Sequence, residues 1–531
     1  MELAKDNLKQ EAHLLIFPSP LQGHINTMLR LAYALSFASG LRISFLNTDH
    51  NHRLLSFFSP SQYSPLSLCS NFRFLSIPDG LPDDKPRSTL YLTELFESLK
   101  TRSVDSFRAL LLAGGNRDTD GWPPVTCVIV DGQMPYFMDT AQALGIPAIL
   151  FRTINAYSLW VYLQIPQMME ADELPFPGLK IFELKKNYNF WVLLEALNPS
   201  RPSCAVKYKL TIEKKNKKIA ADADLDVPIK SVPAMEDFLR RRDLPKMCRG
   251  ATKADNEKLQ SLASMSASAA LSKGLILNTS NSLEAPILSQ IRSLFPNTYA
   301  IGPIHALVES ITSSSVSASL MAEDRSAFNW LDSQPDRSVV YVSFGSIALL
   351  MEEEFMEFWN GLVNSGYRFL WVVRPDLVAN ATVTFKLAEL EERVRLVAWA
   401  PQEEVMRHRA VGCFITHCGW NSTVEGMAAG VPMVCCPWLW DQFVISRLVG
   451  EVWKVGLDMK DMCRRDVVES MVRAAMEGEK AEELRQVAAE MAVEIGRSVG
   501  EGGDSRLDFE RLVRDILSLS LSASGEERRG I

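Results

Sequence analysis

The chain has 531 residues, enough for two large domains. It is 47% hydrophobic and 23% charged, with 28 Gly and 27 Pro, which excludes disordered, collagen-like and disulfide-scaffold chains. A formal net charge of −8 argues against a general nucleic-acid binder and leaves two classes open, an enzyme that handles small molecules or a non-catalytic binding protein.

The opening MELAKDNLKQEA is polar and of mixed charge, without a basic start followed by an apolar stretch, so no secretory signal is expected. No run of roughly 18 apolar residues occurs, so no membrane span is expected. The nine cysteines are odd in number and include no C-x-x-C pair, which predicts neither a disulfide framework nor a zinc site. Together these features predict a reduced, cytosolic chain.

In chain order, His13-Leu-Leu-Ile-Phe17 is a short apolar run of the kind a buried parallel strand requires. It breaks at Pro18-Ser-Pro-Leu-Gln-Gly-His24. A helical pattern follows, with Met28, Leu29, Leu31, Ala32 and Leu35 on one side. Further strands are predicted at Arg42–Leu46, at Val125–Val130 (ending at Asp131) and at Pro147–Phe151, the last preceded by a helix over Met138–Leu144. Segment 179–219 breaks the rhythm. It holds nine Lys and one Arg against three Glu, a net +7. Such a charge run rarely builds a core, so it reads as a disordered surface insertion rather than a basic docking arm. The serine-rich stretch Glu309–Ser319 reads as a loop or linker. Strands resume at Ser338–Ser343, Phe369–Val373, Val394–Val397, Cys413–Thr416 and Met433–Cys436. The β-α-β rhythm on both sides of the linker predicts an α/β chain of two doubly wound parallel sheets, with ligands beyond the carboxyl ends of the strands.

There is no G-x-G-x-x-G after a strand, no P-loop, no H-E-x-x-H and no G-x-S-x-G. The missing glycine fingerprint disfavours a nicotinamide oxidoreductase. The informative stretch is Trp399–Gln442. Cys413–Thr416 is a buried strand, His417-Cys-Gly-Trp-Asn-Ser422 the turn after it, and Thr423–Ala429 a short helix. Strand, turn and helix together can bind phosphate, because free backbone N–H groups and the positive dipole end meet the anion. Gly419 permits close approach, Asn421 and Ser422 stand where an N-cap or a phosphate donor would, and His417 could add a donor, or a charge if protonated. On pattern alone the same residues are equally a well-capped helix with a core-facing Trp.

This stretch resembles the signature box of plant UDP-sugar-dependent glycosyltransferases of secondary metabolism. The likeness runs through Trp-Ala-Pro-Gln at 399–402, His-Cys-Gly-Trp-Asn-Ser at 417–422, Glu425 and Asp441-Gln442. It extends to Trp330–Pro335, Val339–Ser346 and Phe17-Pro through Gly23-His24. Phe45–His52 and Pro78–Pro82 resemble the subgroup that glucosylates iridoids and other terpenoid or cyanogenic acceptors.

The resemblance implies a GT-B fold, two Rossmann-like domains whose parallel sheets face a central cleft. An acceptor-binding domain is expected over 1–302, a linker over 303–322, a UDP-sugar-binding domain over 323–500, and over 501–531 a helix returning to the first domain with a tail. The implied reaction is inverting transfer of glucose from UDP-glucose, as co-substrate, to a hydroxyl or carboxyl of a small metabolite, giving a β-glucoside. Carried over by position, Trp399 would stack on uracil, while Ala400 and Gln402 would hold the base and ribose edge. Glu425 would accept from both ribose hydroxyls. Ser346, His417, Asn421 and Ser422 would bind the diphosphate beside Gly419. Trp420, Asp441 and Gln442 would face the sugar.

His24 and Asp131 would be the catalytic pair, since an alcohol needs a base at neutral pH and a carboxylate fixes the imidazole tautomer. By themselves His24 could be a solvated loop histidine and Asp131 a turn or cap residue. No metal and no resident cofactor are implied. Asp222-Ala-Asp224 has metal-motif spacing but borders the insertion and reads as loop. The expected partners are a small acceptor and a UDP-sugar, without nucleic acid, on a monomer. Thr27 replaces the family's usual Pro with little expected effect. The insertion is the larger departure, and it raises the alternative of a catalytically impaired UDP-sugar-binding homologue.

Overall fold

The computed structural model describes residues 12–59, 69–113, 121–174, 176, 225–249, 253–313, 316, 318–375, 377, 392–460 and 463–527. The basic insertion at 179–219 and Asp222-Ala-Asp224 lie outside them.

Two parallel sheets form the frame. The first uses β1 (His13–Phe17), β2 (Arg42–Thr48), β3 (Phe72–Ile77), β4 (Cys127–Asp131), β5 (Ala148–Arg152), β6 (Leu275–Leu277) and β7 (Thr298–Ala300), in the order β3-β2-β1-β4-β5-β6-β7. The second uses β8 (Val339–Ser343), β9 (Arg368–Val372), β10 (Val394–Val397), β11 (Val411–Thr416), β12 (Met433–Cys435) and β13 (Gly456–Asp458), in the order β10-β9-β8-β11-β12-β13. Every pairing within the two sheets is parallel. β1, β4, β5, β8 and β11 are buried along their whole length, which is why they read as unbroken apolar runs.

The strand order reverses once in each sheet, between β1 and β4 and between β8 and β11. Diverging crossovers at such a point leave a crevice beyond the strand ends. His24 and Asp131 follow the first reversal, and Ser346 and His417 follow the second. The pattern of the chain therefore places the two candidate clusters before any side chain is considered.

Three elements differ from the sequence reading. The stretch read as a linker begins with a helix, Ile304–Thr312, that buries Ile304, Leu307 and Val308. Beyond it, Ala318 N–H donates to Asn26 at 3.0 Å and Ser319 N–H to Ser59 at 2.7 Å, so the serine-rich chain is stitched onto the first sheet's helices. Serine hydroxyls and bare backbone supply hydrogen bonds where apolar area is scarce. The helix predicted at Thr423–Ala429 spans Trp420–Ala428, and the one predicted at Met138–Leu144 spans Pro135–Gln142. A proline at the first helical position accounts for the earlier start of the latter.

The final helix, Asp504–Glu527, lies against the first sheet. Its Asp508 accepts from Ala300 N–H at 2.9 Å and from Arg292 at 3.0 Å, and Asp515 accepts from the Tyr299 hydroxyl at 2.7 Å. Phe509, Leu512 and Ile516 join the apolar core beneath. Among the described residues no helix is long and apolar enough to cross a membrane.

Candidate active site

A cavity of about 390 Å³ lies between the sheets. Its walls include His24, Ser346, Trp399, Ala400, Gln402, His417, Gly419, Trp420, Asn421, Ser422, Glu425, Asp441 and Gln442. Of the residues singled out in the sequence, only Asp131 stands behind the wall, 1% exposed, in contact with His24.

His24 sits in the first turn of the helix Gln22–Ser39. Its Nδ1 is 2.6 Å from Asp131 Oδ2. Asp131 also accepts from Ser19 N–H at 3.2 Å and Gln133 N–H at 2.9 Å. Burial alone would raise the Asp131 carboxyl, but His24 and these two N–H groups outweigh it, and the net shift is downward. An ionised carboxylate only accepts, so Nδ1 carries the proton of this bond and the Nε2 lone pair is left for other work. Thr153, next after β5, places its Oγ1 3.0 Å from Nδ1 and 3.5 Å from Nε2. Nothing in the sequence pattern distinguished Thr153 from an ordinary strand-end residue.

The second histidine is placed differently. His417 follows β11, with no carboxylate beside it. Burial, then the nearby Arg374 guanidinium, push its pKa down to about 4, against a smaller raising effect of the Ser343 backbone. It is therefore neutral at pH 7 and can act as a donor without a charge of its own. Its Nδ1 is buried with no hydrogen-bond partner. Gly345 lies against the ring: its φ is +66°, and a Cβ there would stand 2.5 Å from the imidazole Cε1.

Gly419 is the N-cap of the helix Trp420–Ala428 and offers no capping side chain. Trp420, Asn421 and Ser422 therefore occupy its first turn, where backbone N–H groups have no intrahelical partner. This corrects the reading of Asn421 and Ser422 as cap residues. Asn421 is tied at both ends to the other side of the cleft: its Nδ2 donates to the Gly23 carbonyl at 2.9 Å, and its Oδ1 accepts from Asn278 at 3.2 Å. The Trp420 indole N–H donates to the Asn278 carbonyl at 2.8 Å and is committed there. What both residues can still offer an anion is their backbone.

Glu425, on the same helix, accepts from Gln402 Nε2 at 2.7 Å, and Gln402 also donates to Ser422 Oγ at 2.9 Å. Arg30, six residues beyond His24 on its helix, donates to Glu425 at 3.3 Å. The sequence reading did not include Arg30. Asp441 is half-buried, and burial, partly offset by its own backbone N–H, His24 and Arg152, lifts its pKa to about 6. Gln442 accepts from Trp438 N–H at 2.9 Å and Leu439 N–H at 2.8 Å, so its NH₂ end is the one left to meet a ligand. Among the described residues no group of three or more His, Cys, Asp or Glu could hold a metal ion.

Chemically, the cavity offers a base on one wall and, on the other, a neutral imidazole, a helix N-terminus and a buried carboxylate. The first suits removal of a hydroxyl proton. The second suits a ligand with a diphosphate and vicinal hydroxyls.

Comparison with known proteins shows the family and the fold. The family described as UDP-glucoronosyl and UDP-glucosyl transferase matches residues 266–485. A myricetin 3-O-rhamnoside 1,2-glucosyltransferase of Crocosmia x crocosmiiflora is 42% identical over 511 residues, 96% of this chain and 97% of that protein. A 7-deoxyloganetic acid glucosyltransferase of Catharanthus roseus is 40% identical, covering 96% of this chain and 98% of that protein. Among solved structures, Os79 from O. sativa in complex with UDP superposes with a TM-score of 0.72 at 25% identity, covering 95% of this chain and 100% of that one.

Proposed function

The chain belongs to the plant UDP-glycosyltransferases of family 1, enzymes of the GT-B fold, and on that premise we propose how it carries out transfer. It moves glucose from UDP-glucose, with inversion, to a hydroxyl or carboxyl of a small secondary metabolite. An iridoid or another terpenoid is the acceptor class favoured, supported by relatives of 40% and 33% identity named for 7-deoxyloganetic acid and 7-deoxyloganetin.

The observation that carries this reading is the 2.6 Å contact between His24 and Asp131 in the wall of the cavity that also holds the signature box. The acceptor hydroxyl meets His24 Nε2. As its oxygen bonds to the anomeric carbon, the bond from that carbon to the UDP oxygen breaks, and the proton passes to His24. Asp131 stabilises the imidazolium that forms. The base and the diphosphate cradle come from opposite walls, so attack comes from the face opposite the leaving group and the sugar inverts.

UDP leaves from the second wall. Backbone N–H groups at Asn421 and Ser422, with Ser346 and neutral His417, receive the charge that develops on the diphosphate. Trp399 stacks on uracil beside Ala400, Gln402 orients the base edge, and Glu425 accepts from the ribose hydroxyls. Asp441 and the Gln442 amide hold the hexose. Hydrogen-bond donors carry the diphosphate in this scheme, without a metal. The enzyme acts as a cytosolic monomer on small molecules.

The impaired-homologue alternative is not favoured, because the cleft and its base are assembled and the relatives are named as transferases. The test is to incubate the full chain with UDP-glucose and, in turn, 7-deoxyloganetic acid, 7-deoxyloganetin, myricetin 3-O-rhamnoside and simple monoterpenols. Acceptor-dependent UDP release with formation of a β-glucoside is expected. Donor binding with no release above that of His24→Ala for any acceptor would overturn the proposal.

A further inference from the structure

Glu425 is 7% exposed and Arg30 3% exposed. A carboxylate buried this deeply needs hydrogen-bond donors for its oxygens. Arg30 supplies one from the opposite side of the cleft, 395 positions away in sequence. Its Nη1 donates to Glu425 Oε1 at 3.3 Å, its Nη2 to Glu403, and its Nε to the Val316 carbonyl at 2.8 Å. Arg407, the other guanidinium close by, is committed to Glu309 at 2.6 Å. His305, packed beside Arg30, is held well below its ordinary pKa by burial, then by Arg30 and Arg407, so it brings no competing charge.

The bonds on Glu425 divide evenly. Arg30 takes one oxygen, at Oε1, and Gln402 the other, at Oε2. A carboxylate has about four acceptor sites. Two are used, and two remain for two vicinal hydroxyls. Arg30 also shares the helix Gln22–Ser39 with His24. One rigid element thus carries the proposed base at its start and, almost two turns later, the group that orients the Glu425 carboxylate.

We propose that Arg30 is a positioning residue for the donor: by holding Glu425 Oε1 and fixing the rotation of its carboxylate, it makes that group selective for the ribose hydroxyls of UDP and registers the nucleotide against the helix that bears His24. The proposal rests on the reading that Glu425 clasps the ribose.

The test compares dissociation constants of UDP and 2′-deoxy-UDP by calorimetry for the full-length wild type, Arg30→Met and Arg30→Lys. A charge-balanced Arg30→Met/Glu403→Gln double variant is added in case the single variant does not fold. Wild type is expected to prefer UDP by roughly tenfold or more, the scale of a hydrogen bond to a charged group. That preference should collapse toward one in Arg30→Met and in the double variant, and return in part in Arg30→Lys. A merely structural arginine would weaken both ligands by the same factor and keep the ratio, and that result overturns the proposal. Equal binding of the two ligands by wild type overturns the ribose clasp itself, and the proposal with it; the wild-type measurement alone tells this outcome apart.

Discussion

The two walls of the cleft are built alike and charged differently. Each has a parallel strand, a tight turn, a histidine and a helix N-terminus, at the point where its sheet reverses strand order. In the first wall the histidine touches a buried carboxylate, which is held ionised and orients it. In the second the histidine has an arginine for a neighbour and is driven to about 4. The same side chain is thus oriented by a carboxylate in one place, as the proposed base, and kept a neutral donor in the other, and the neighbours decide which.

The largest effect expected from breaking this contrast is on turnover. His24→Ala should lower kcat by about 10²–10⁴-fold, the ordinary worth of a general base, with UDP affinity measured by calorimetry unchanged. Asp131→Asn should also lower kcat, with unchanged UDP affinity, because a neutral amide neither fixes the imidazole tautomer nor stabilises the imidazolium.

Next in size is Gly345→Ala. It places a methyl 2.5 Å from the His417 ring at a φ of +66°, where strain costs on the order of 1–3 kcal/mol. Denaturant unfolding should show the loss, and UDP affinity should fall with it, whereas Gly40→Ala, at a similar φ but with nothing within 4 Å, should cost stability alone.

Asp441 should make donor recognition depend on pH. With its pKa near 6, it is about tenfold less ionised at pH 5 than at pH 7. The advantage of UDP-glucose over UDP in binding should shrink as pH falls through 6, and Asp441→Asn should flatten that profile.

A smaller effect concerns stability. Unfolded, His417 takes up a proton near 6.5; folded, only near 4. The unfolded chain binds the extra proton between those values, so this contribution is fully present above 6.5 and is lost as pH falls toward 4. Replacing His417 by Asn should make unfolding less sensitive to acid over that window, read from denaturant midpoints at pH 7 and pH 5.

The long buried strands were legible in the sequence because burial on both faces leaves an unbroken apolar run, as in Cys127–Asp131. β6, β7 and β13 have three residues each, too few for a pattern to register. Phe72–Ile77 mixes Arg and Ser into a half-buried strand and hides for that reason. The helix at Trp420 begins three residues before its apparent start, because a glycine N-cap leaves no side-chain signature. The signature-box residues were visible because they are contiguous. Arg30 and Thr153 were not, since a charged residue within an amphipathic helix reads as surface, and the carboxylates that bury Arg30 lie 373 and 395 positions away.

The most direct measurement of the central claim is the ratio of wild-type to His24→Ala turnover across acceptor hydroxyls graded in acidity, from alkyl alcohols to nitrophenols. If His24 removes the proton, the ratio should be large for alkyl alcohols and fall toward one for acceptors that ionise unaided. A ratio that stays constant across the series would contradict the assignment of His24 as the base.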